Sequence, residues 1–240
     1  MMRSYSNSIF LVFALLCMVS CKKENMHASR LLHTEAFDKI EFNNPFDVFL
    51  TEGNSFSVEI IGAENTIENV TCNIENGVLS INNHTKFSWL SPKDNKIEIY
   101  IHSKALKEIS ANQTCNIRTQ NAITSDNFGI ILKSKANEAN LELNCKNFYY
   151  WNNFPTGGKL VLSGMAEKVS IWNYAIMSVD AKNLISKMAD VENSSNGDCE
   201  IQVLNSLKYS IKGFGNIHLY GNPAELIEME HTSSGKLIRH

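Results

Sequence analysis

The sequence predicts an all-β protein whose chain winds as a β-helix-like solenoid, with a large antiparallel β-sandwich as the rival architecture. Three observations carry this. Apolar residues alternate with polar ones along most of the chain, as in Phe46-Val48-Leu50, Phe56-Val58-Ile60 and Ile97-Ile99-Ile101, and a period of two puts every second side chain on one face of a strand. Short turn signals separate these runs: Glu52-Gly53-Asn54, Glu75-Asn76-Gly77, Asn82-Asn83, Ser163-Gly164, Asn196-Gly197-Asp198 and Gly221-Asn222-Pro223. In the second half Val169, Ile185, Ile201 and Ile217 recur every sixteen residues, with Leu237 twenty further on, and several follow a glycine-bearing corner. One such turn cannot bury its own apolar row; stacking turns makes the core.

Composition sets the bounds. The chain has 240 residues, 43% of them hydrophobic and 20% charged, which suits a globular domain and not a disordered chain. A net charge of −3 leaves no basic excess to neutralise phosphates, so a nucleic-acid partner is not expected.

Residues 1–20 have a secretory layout. Arg3 precedes the apolar run Ile9 to Met18, which is too short for a bilayer that needs roughly 20 apolar residues and fits a signal-peptide core. The sequence Met18-Val19-Ser20-Cys21 resembles a bacterial lipobox, which implies that Cys21 becomes the lipidated first residue of the mature chain. With no aspartate after Cys21, the resemblance points to outer-membrane sorting, on either the periplasmic face or the cell surface. Residues 21–35 are polar, lack clear alternation and are expected to form the lipidated Cys21 and a tether.

From residue 36 the alternation begins and continues through Leu141-Leu143, Leu160-Leu162, Val169-Ile171 and Ile217-Leu219. The best helix candidate, Ser103 to Ile109, covers about two turns. Once Cys17 is removed and Cys21 lipidated, Cys72, Cys115, Cys145 and Cys199 remain. An even number in an oxidising compartment permits two disulfides. Yet each sits two residues from an apolar neighbour, which favours buried free thiols. Asparagine occurs 29 times. It suits tight corners and stacked ladders, and an AT-rich genome would enrich it equally.

Several segments resemble a known family. Phe37-Asp38-Lys39-Ile40, Pro45 to Gly53 (PFDVFLTEG), Val58-Glu59-Ile60 and Gly62-Ala63-Glu64-Asn65 are similar to the opening of the DUF2807 family, the putative auto-transporter adhesin head GIN domain. The family's Ser-Gly repeats are matched, eroded, at Leu162-Ser163-Gly164, Ser194 to Asp198, Lys212 to Ile217 and Thr232 to Gly235, and its closing motif at Leu219 to Pro223. The resemblance covers residues 36–238. It implies a right-handed β-helix-like fold in secreted or lipid-anchored proteins of Bacteroidetes type, and it carries over no catalytic residues.

The most unusual segment is Phe148-Tyr149-Tyr150-Trp151-Asn152-Asn153-Phe154, with Trp172 and Tyr174 about one repeat later. Five aromatics in seven residues cannot share one face of a strand. They pack between turns, meet a protein partner or a second copy of the chain, or stack on glycan rings. Tyr149, Tyr150, Trp151, Trp172 and Tyr174 are the candidate surface. The histidines form no HxH or HExxH, and no CxxC occurs, so neither a metal nor another cofactor is expected. Gly213-Phe214-Gly215 reads as a corner and not a nucleotide loop. Glu225, Glu228, Glu230 and His231 read as a solvated edge. Asp94, Glu98 and Glu108 show no paired-carboxylate logic.

These readings describe a non-enzymatic, lipid-anchored envelope protein, an adhesin or binding module whose wall faces a protein or glycan. The alternative is a periplasm-facing structural or stress-related component. A polysaccharide-active enzyme ranks last and would require acids gathered on neighbouring turns.

Overall fold

The computed structural model describes residues 27–85 and 96–240. The expected signal peptide, Cys21 and Asp94 lie outside the described residues. The strands are β1 (His27–His33), β2 (Lys39–Phe42), β3 (Phe46–Glu52), β4 (Ser57–Ala63), β5 (Val70–Glu75), β6 (Val78–Asn83), β7 (Glu98–Ser103), β8 (Glu108–Ala111), β9 (Cys115–Thr119) and β10 (Asn127–Leu132), then β11 (Asn137–Trp151), β12 (Gly157–Ser195), β13 (Cys199–Ile211), β14 (Ile217–Tyr220), β15 (Glu225–His231) and β16 (Leu237–Arg239). A four-residue helix, α1 (Glu64–Ile67), interrupts them. Ser103 to Ile109, the best helix candidate, instead runs from the end of β7 into β8.

The strands stack into two walls. The first follows β1-β4-β7-β3-β9-β11-β12-β13-β14-β16; the second follows β5-β6-β2-β8-β10-β11-β12-β13-β15. Pairing is antiparallel at β1–β4, β4–β7 and β5–β6 and parallel elsewhere. The result is a β-solenoid of about six turns joined to a curled mixed sheet, and the sandwich alternative falls. The longest strand, β12, contains two turns: residues 158–172 pair with β11 and residues 179–193 with β13.

Alternation explains the walls, and its slips explain the corners. Along β11, buried and exposed residues alternate until Lys146 and Asn147, which are both exposed. That one-residue slip turns the chain from the first wall to the second. Inward side chains stack in columns such as Ile40–Ile109–Ile130–Tyr150–Ile171, all buried. Burying each aliphatic member contributes about 1.5–3 kcal/mol.

The turn is longer than sixteen residues. Val179 pairs with Cys199, Cys199 with Ile217, and Ile217 with Leu237, giving steps of 20, 18 and 20. Ile185 does not belong to the column expected for it: it pairs with Gln202 and is 40% exposed. Each turn carries several apolar positions on two walls, so equal spacing in sequence linked residues of different columns.

The expected tether is also shortened. Residues 27–33 form β1, paired along its length with β4. Ala28, Arg30 and Leu32 face inward, and Arg30 donates to the Val70 carbonyl. A charged residue in the middle of the inward face hid the strand's alternation.

Turn chemistry follows the backbone. Asn76 and Gly77, with φ of 52° and 77°, join β5 to β6 by the doubly left-handed turn that suits a two-residue hairpin. At the Gly213-Phe214-Gly215 corner, a Cβ on Gly215 would overlap the Gly197 carbonyl of the preceding turn. Glycine is required there by close stacking of corners.

Cys72, Cys115, Cys145 and Cys199 are free, and the last three are buried. Burial pushes the Cys115 thiol from the ordinary 9.0 up to about 12 and Cys145 up to about 11. Thiol reagents need the thiolate. At pH 8 the native protein should react at Cys72 at most, and all four should react in denaturant, as read by thiol titration. Fast reaction of all four in the native state would contradict this packing. The sign of the alkaline effect follows. The native state keeps protons that the unfolded chain releases, so this contribution to stability is intact below pH 9 and is lost as pH rises through the native values.

Candidate functional site

The outward face of the second wall carries the aromatic surface. Trp151 and Trp172 are register partners on adjacent turns, which sets their strands about 4.8 Å apart. Each is 39% exposed, and Tyr174, two residues beyond Trp172 on the same outward side, is 45% exposed. Phe154 meets Trp151 edge-on, with ring centroids 6.0 Å apart, and the Lys133 ammonium lies 5.7 Å from the Phe154 centroid. Ile176, at the following corner, is exposed.

Two of the candidate tyrosines behave differently. Tyr149 is half-buried. Its ring fills the space above Gly129, where any Cβ would overlap it, and its hydroxyl donates to the Glu108 carboxylate at 2.5 Å. Burial, then Glu108, raises its proton affinity above that of an ordinary phenol. Tyr150 is fully buried, between Ile130 and Ile171, so the structure removes it from the candidate surface. The physical reason is the pleat: Trp151 points out, therefore Tyr150 points in.

Buried amides hold this corner rigid. Asn152, Asn173 and Asn193 lie at the same corner of three successive turns, each at least 97% buried. Asn152 accepts from the Phe154 amide at 2.9 Å and donates to Thr156. Asn173 donates to the Met177 carbonyl at 2.8 Å and to the Asn193 side-chain oxygen at 3.1 Å. Asn193 donates to the Gly215 carbonyl at 3.0 Å. Each bond satisfies a backbone or side-chain group that the tight corner would otherwise leave buried and unpaired.

A polar network adjoins the aromatics. The step that joins Asn173 to Asn193 places Glu192 next after Trp172 in the outward column, followed by Ser210 and Glu230. Lys212 bridges Glu192 at 2.9 Å and Glu230 at 3.0 Å, and the Glu192 hydrogen bond leads in holding its ammonium above the usual value. Ser194 donates to Glu192 at 3.0 Å. The sequence reading missed Glu192, Ser194 and Lys212. A twenty-residue step, read from Asn173 and Asn193, would have brought them to the tryptophans.

Elsewhere, two pairs of neighbouring acids are bridged by lysines. Asp180 and Glu200 are register partners on the first wall, but Lys182 bridges both and Lys159 adds a second bond to Asp180. Glu98 shares Lys96 with Asp47 beside a groove of about 340 Å³. Glu225, Glu228, Glu230 and His231 lie exposed on β15. Among the described residues, no group of three His, Cys, Asp or Glu side chains is placed to hold a metal ion.

Comparison with known proteins places this architecture. It is similar to a crystal structure of a putative adhesin from Bacteroides fragilis NCTC 9343, with TM-score 0.81 and 18% identity over 90% of this chain and 97% of that one. Putative adhesins from Parabacteroides distasonis ATCC 8503 (TM-score 0.66, 16% identity, 90% and 98% covered) and Parabacteroides merdae ATCC 43184 (TM-score 0.63, 18% identity, 90% and 97% covered) share the fold. No curated protein matches. The model of DUF2807, described as putative auto-transporter adhesin, head GIN domain, matches residues 36–223. The chain therefore belongs to the DUF2807 putative adhesin family.

Proposed function

We propose that this chain is a lipid-anchored cell-envelope binding module without enzymatic activity, whose second wall presents Trp151, Trp172 and Tyr174 to an external partner. The observation that carries the reading is the register pairing of two half-exposed tryptophans on adjacent turns. A solenoid holds such a pair rigidly, so little side-chain entropy is lost when a partner covers it. The family's adhesin description supports a surface role, and the lipobox-like Val19-Ser20-Cys21 supports anchoring through Cys21.

The binding wall is tested with beads carrying the mature chain, counted after washing on mucin-coated glass and on lawns of sister cells. The Trp151→Ala/Trp172→Ala double variant should be retained several-fold less than the wild type on at least one surface. Equal retention on both would remove the wall from the proposal.

Anchoring has its own test. Cys21→Ala should abolish labelling by radioactive palmitate and move most of the chain from the membrane to the soluble fraction, since each acyl CH₂ contributes about 0.8 kcal/mol to membrane binding. Wild-type membrane retention of the variant would overturn the anchor. Digestion by protease added to intact cells is expected for a surface adhesin. Protection until lysis would instead favour the periplasm-facing structural reading.

A further inference from the structure

We infer that the partner of the aromatic wall is a glycan, bound with a pyranose ring over the Trp151–Trp172–Tyr174 platform and its hydroxyls on the Glu192–Ser194–Lys212 network. The inference rests on the binding-wall reading and adds the ligand class.

Area argues first against a protein. An aromatic side chain offers about 150–250 Å², so three rings exposed to 39–45% leave roughly 250 Å². A standard protein interface needs about 800 Å² per partner. A sugar ring requires far less, and a few stacked units would cover the platform.

Chemistry argues next for a sugar. A pyranose has a flat C–H face, weakly positive, and a rim of hydroxyls. The negative face of an indole suits the former. The latter needs acceptors and donors at the platform's edge, and the column supplies them in order: Trp151, Trp172, Glu192, Ser210 and Glu230 occupy successive turns, about 4.8 Å apart. The Glu192 carboxylate accepts and the Lys212 ammonium donates. Each already holds the other at 2.9 Å, so neither must be reoriented alone. A charged acceptor and a charged donor beside a stacking ring orient a sugar where a bare apolar patch would not. The platform's own corner is fixed by the buried amides of Asn152, Asn173 and Asn193, which preorganises it.

The experiment uses the mature full-length chain and a panel of cello-, chito-, laminari- and manno-hexaose. Binding is followed by tryptophan fluorescence and by titration calorimetry. At least one hexaose should change the emission and bind. Trp151→Ala and Trp172→Ala should each weaken that affinity about tenfold or more, as for an aromatic at the centre of a site. Glu192→Gln should weaken it several-fold, while Met165→Ala, an exposed residue outside the platform, should leave it unchanged. Circular dichroism melts keep the comparison to folded variants, and surface positions of this kind are expected to fold. If no hexaose binds, while bead retention still depends on Trp151 and Trp172, the glycan inference is overturned and the binding wall stands. If a hexaose binds equally well to both tryptophan variants, the assignment of the sugar to this platform is overturned.

Discussion

Replacing Tyr150 by alanine should lower the unfolding free energy by about 3–5 kcal/mol, the usual cost of truncating a buried aromatic, while Trp151→Ala one residue away should cost about 1–2 kcal/mol. The contrast comes from the pleat. Tyr150 is fully enclosed and sits in the inward column between Ile130 and Ile171. Truncation leaves a cavity that rigid neighbouring turns cannot close. Trp151 keeps 39% of its surface in water and loses only part of its burial. Tyr150→Phe separates the ring from the hydroxyl. That hydroxyl lies beside the polar side chains of Asn152 and Thr156, so its removal should cost about 1 kcal/mol at most. Urea unfolding of the three variants reads all of this. Similar midpoints for Tyr150→Ala and Trp151→Ala would mean that the strand's facing is wrong, and with it the whole aromatic surface.

This pair also marks how far the sequence could be read. Alternation identified the strands because burial on one face of a strand leaves a period of two, and the Asn76-Gly77 hairpin was marked by its turn chemistry. What alternation cannot supply is the step from one turn to the next. Val169, Ile185, Ile201 and Ile217 offered a regular sixteen, yet the parallel register of the solenoid turns runs at 17 to 22. Apolar residues were poor markers because every turn has several. The buried asparagines were better ones, since three successive turns carry one at the same corner, and Asn152, Asn173 and Asn193 step by 21 and 20.

The same limit governs the candidate site. Trp151, Trp172 and Tyr174 could be named because they are rare residues in odd company. Their adjacency, and the approach of Glu192 and Lys212, depend on stacking and therefore on the turn length. Tyr150 adjoins Trp151 in sequence but not on the surface, because the pleat sends consecutive residues to opposite faces. Strand β1 escaped notice because Arg30 occupies an inward position that its side chain leaves by reaching the Val70 carbonyl.

Asn193→Ala is the second large effect, expected at about 3–4 kcal/mol. Its side-chain nitrogen donates to the Gly215 carbonyl at 3.0 Å and the Gly197 carbonyl at 3.2 Å, and its oxygen accepts from Asn173 at 3.1 Å. Each hydrogen bond contributes about 1 kcal/mol net, and a buried partner left unpaired adds about 1–3 kcal/mol more. Asn193→Asp keeps the volume but, when ionised, turns an oxygen toward carbonyl oxygens, so at neutral pH it should be at least as damaging as alanine. Cavity and hydrogen bonding are thereby separated, because a loss due to volume alone would spare the aspartate variant. Asn205, exposed at the opposite corner, serves as the comparison, and Asn205→Ala should change stability by less than about 0.5 kcal/mol. The two explanations for an asparagine-rich chain then divide by position. A ladder demands asparagine at 152, 173 and 193, where backbone groups are buried at stacked corners, while genomic bias would place it without regard to burial. Equal effects at Asn193 and Asn205 would deny the ladder any structural role and return the whole asparagine content to composition.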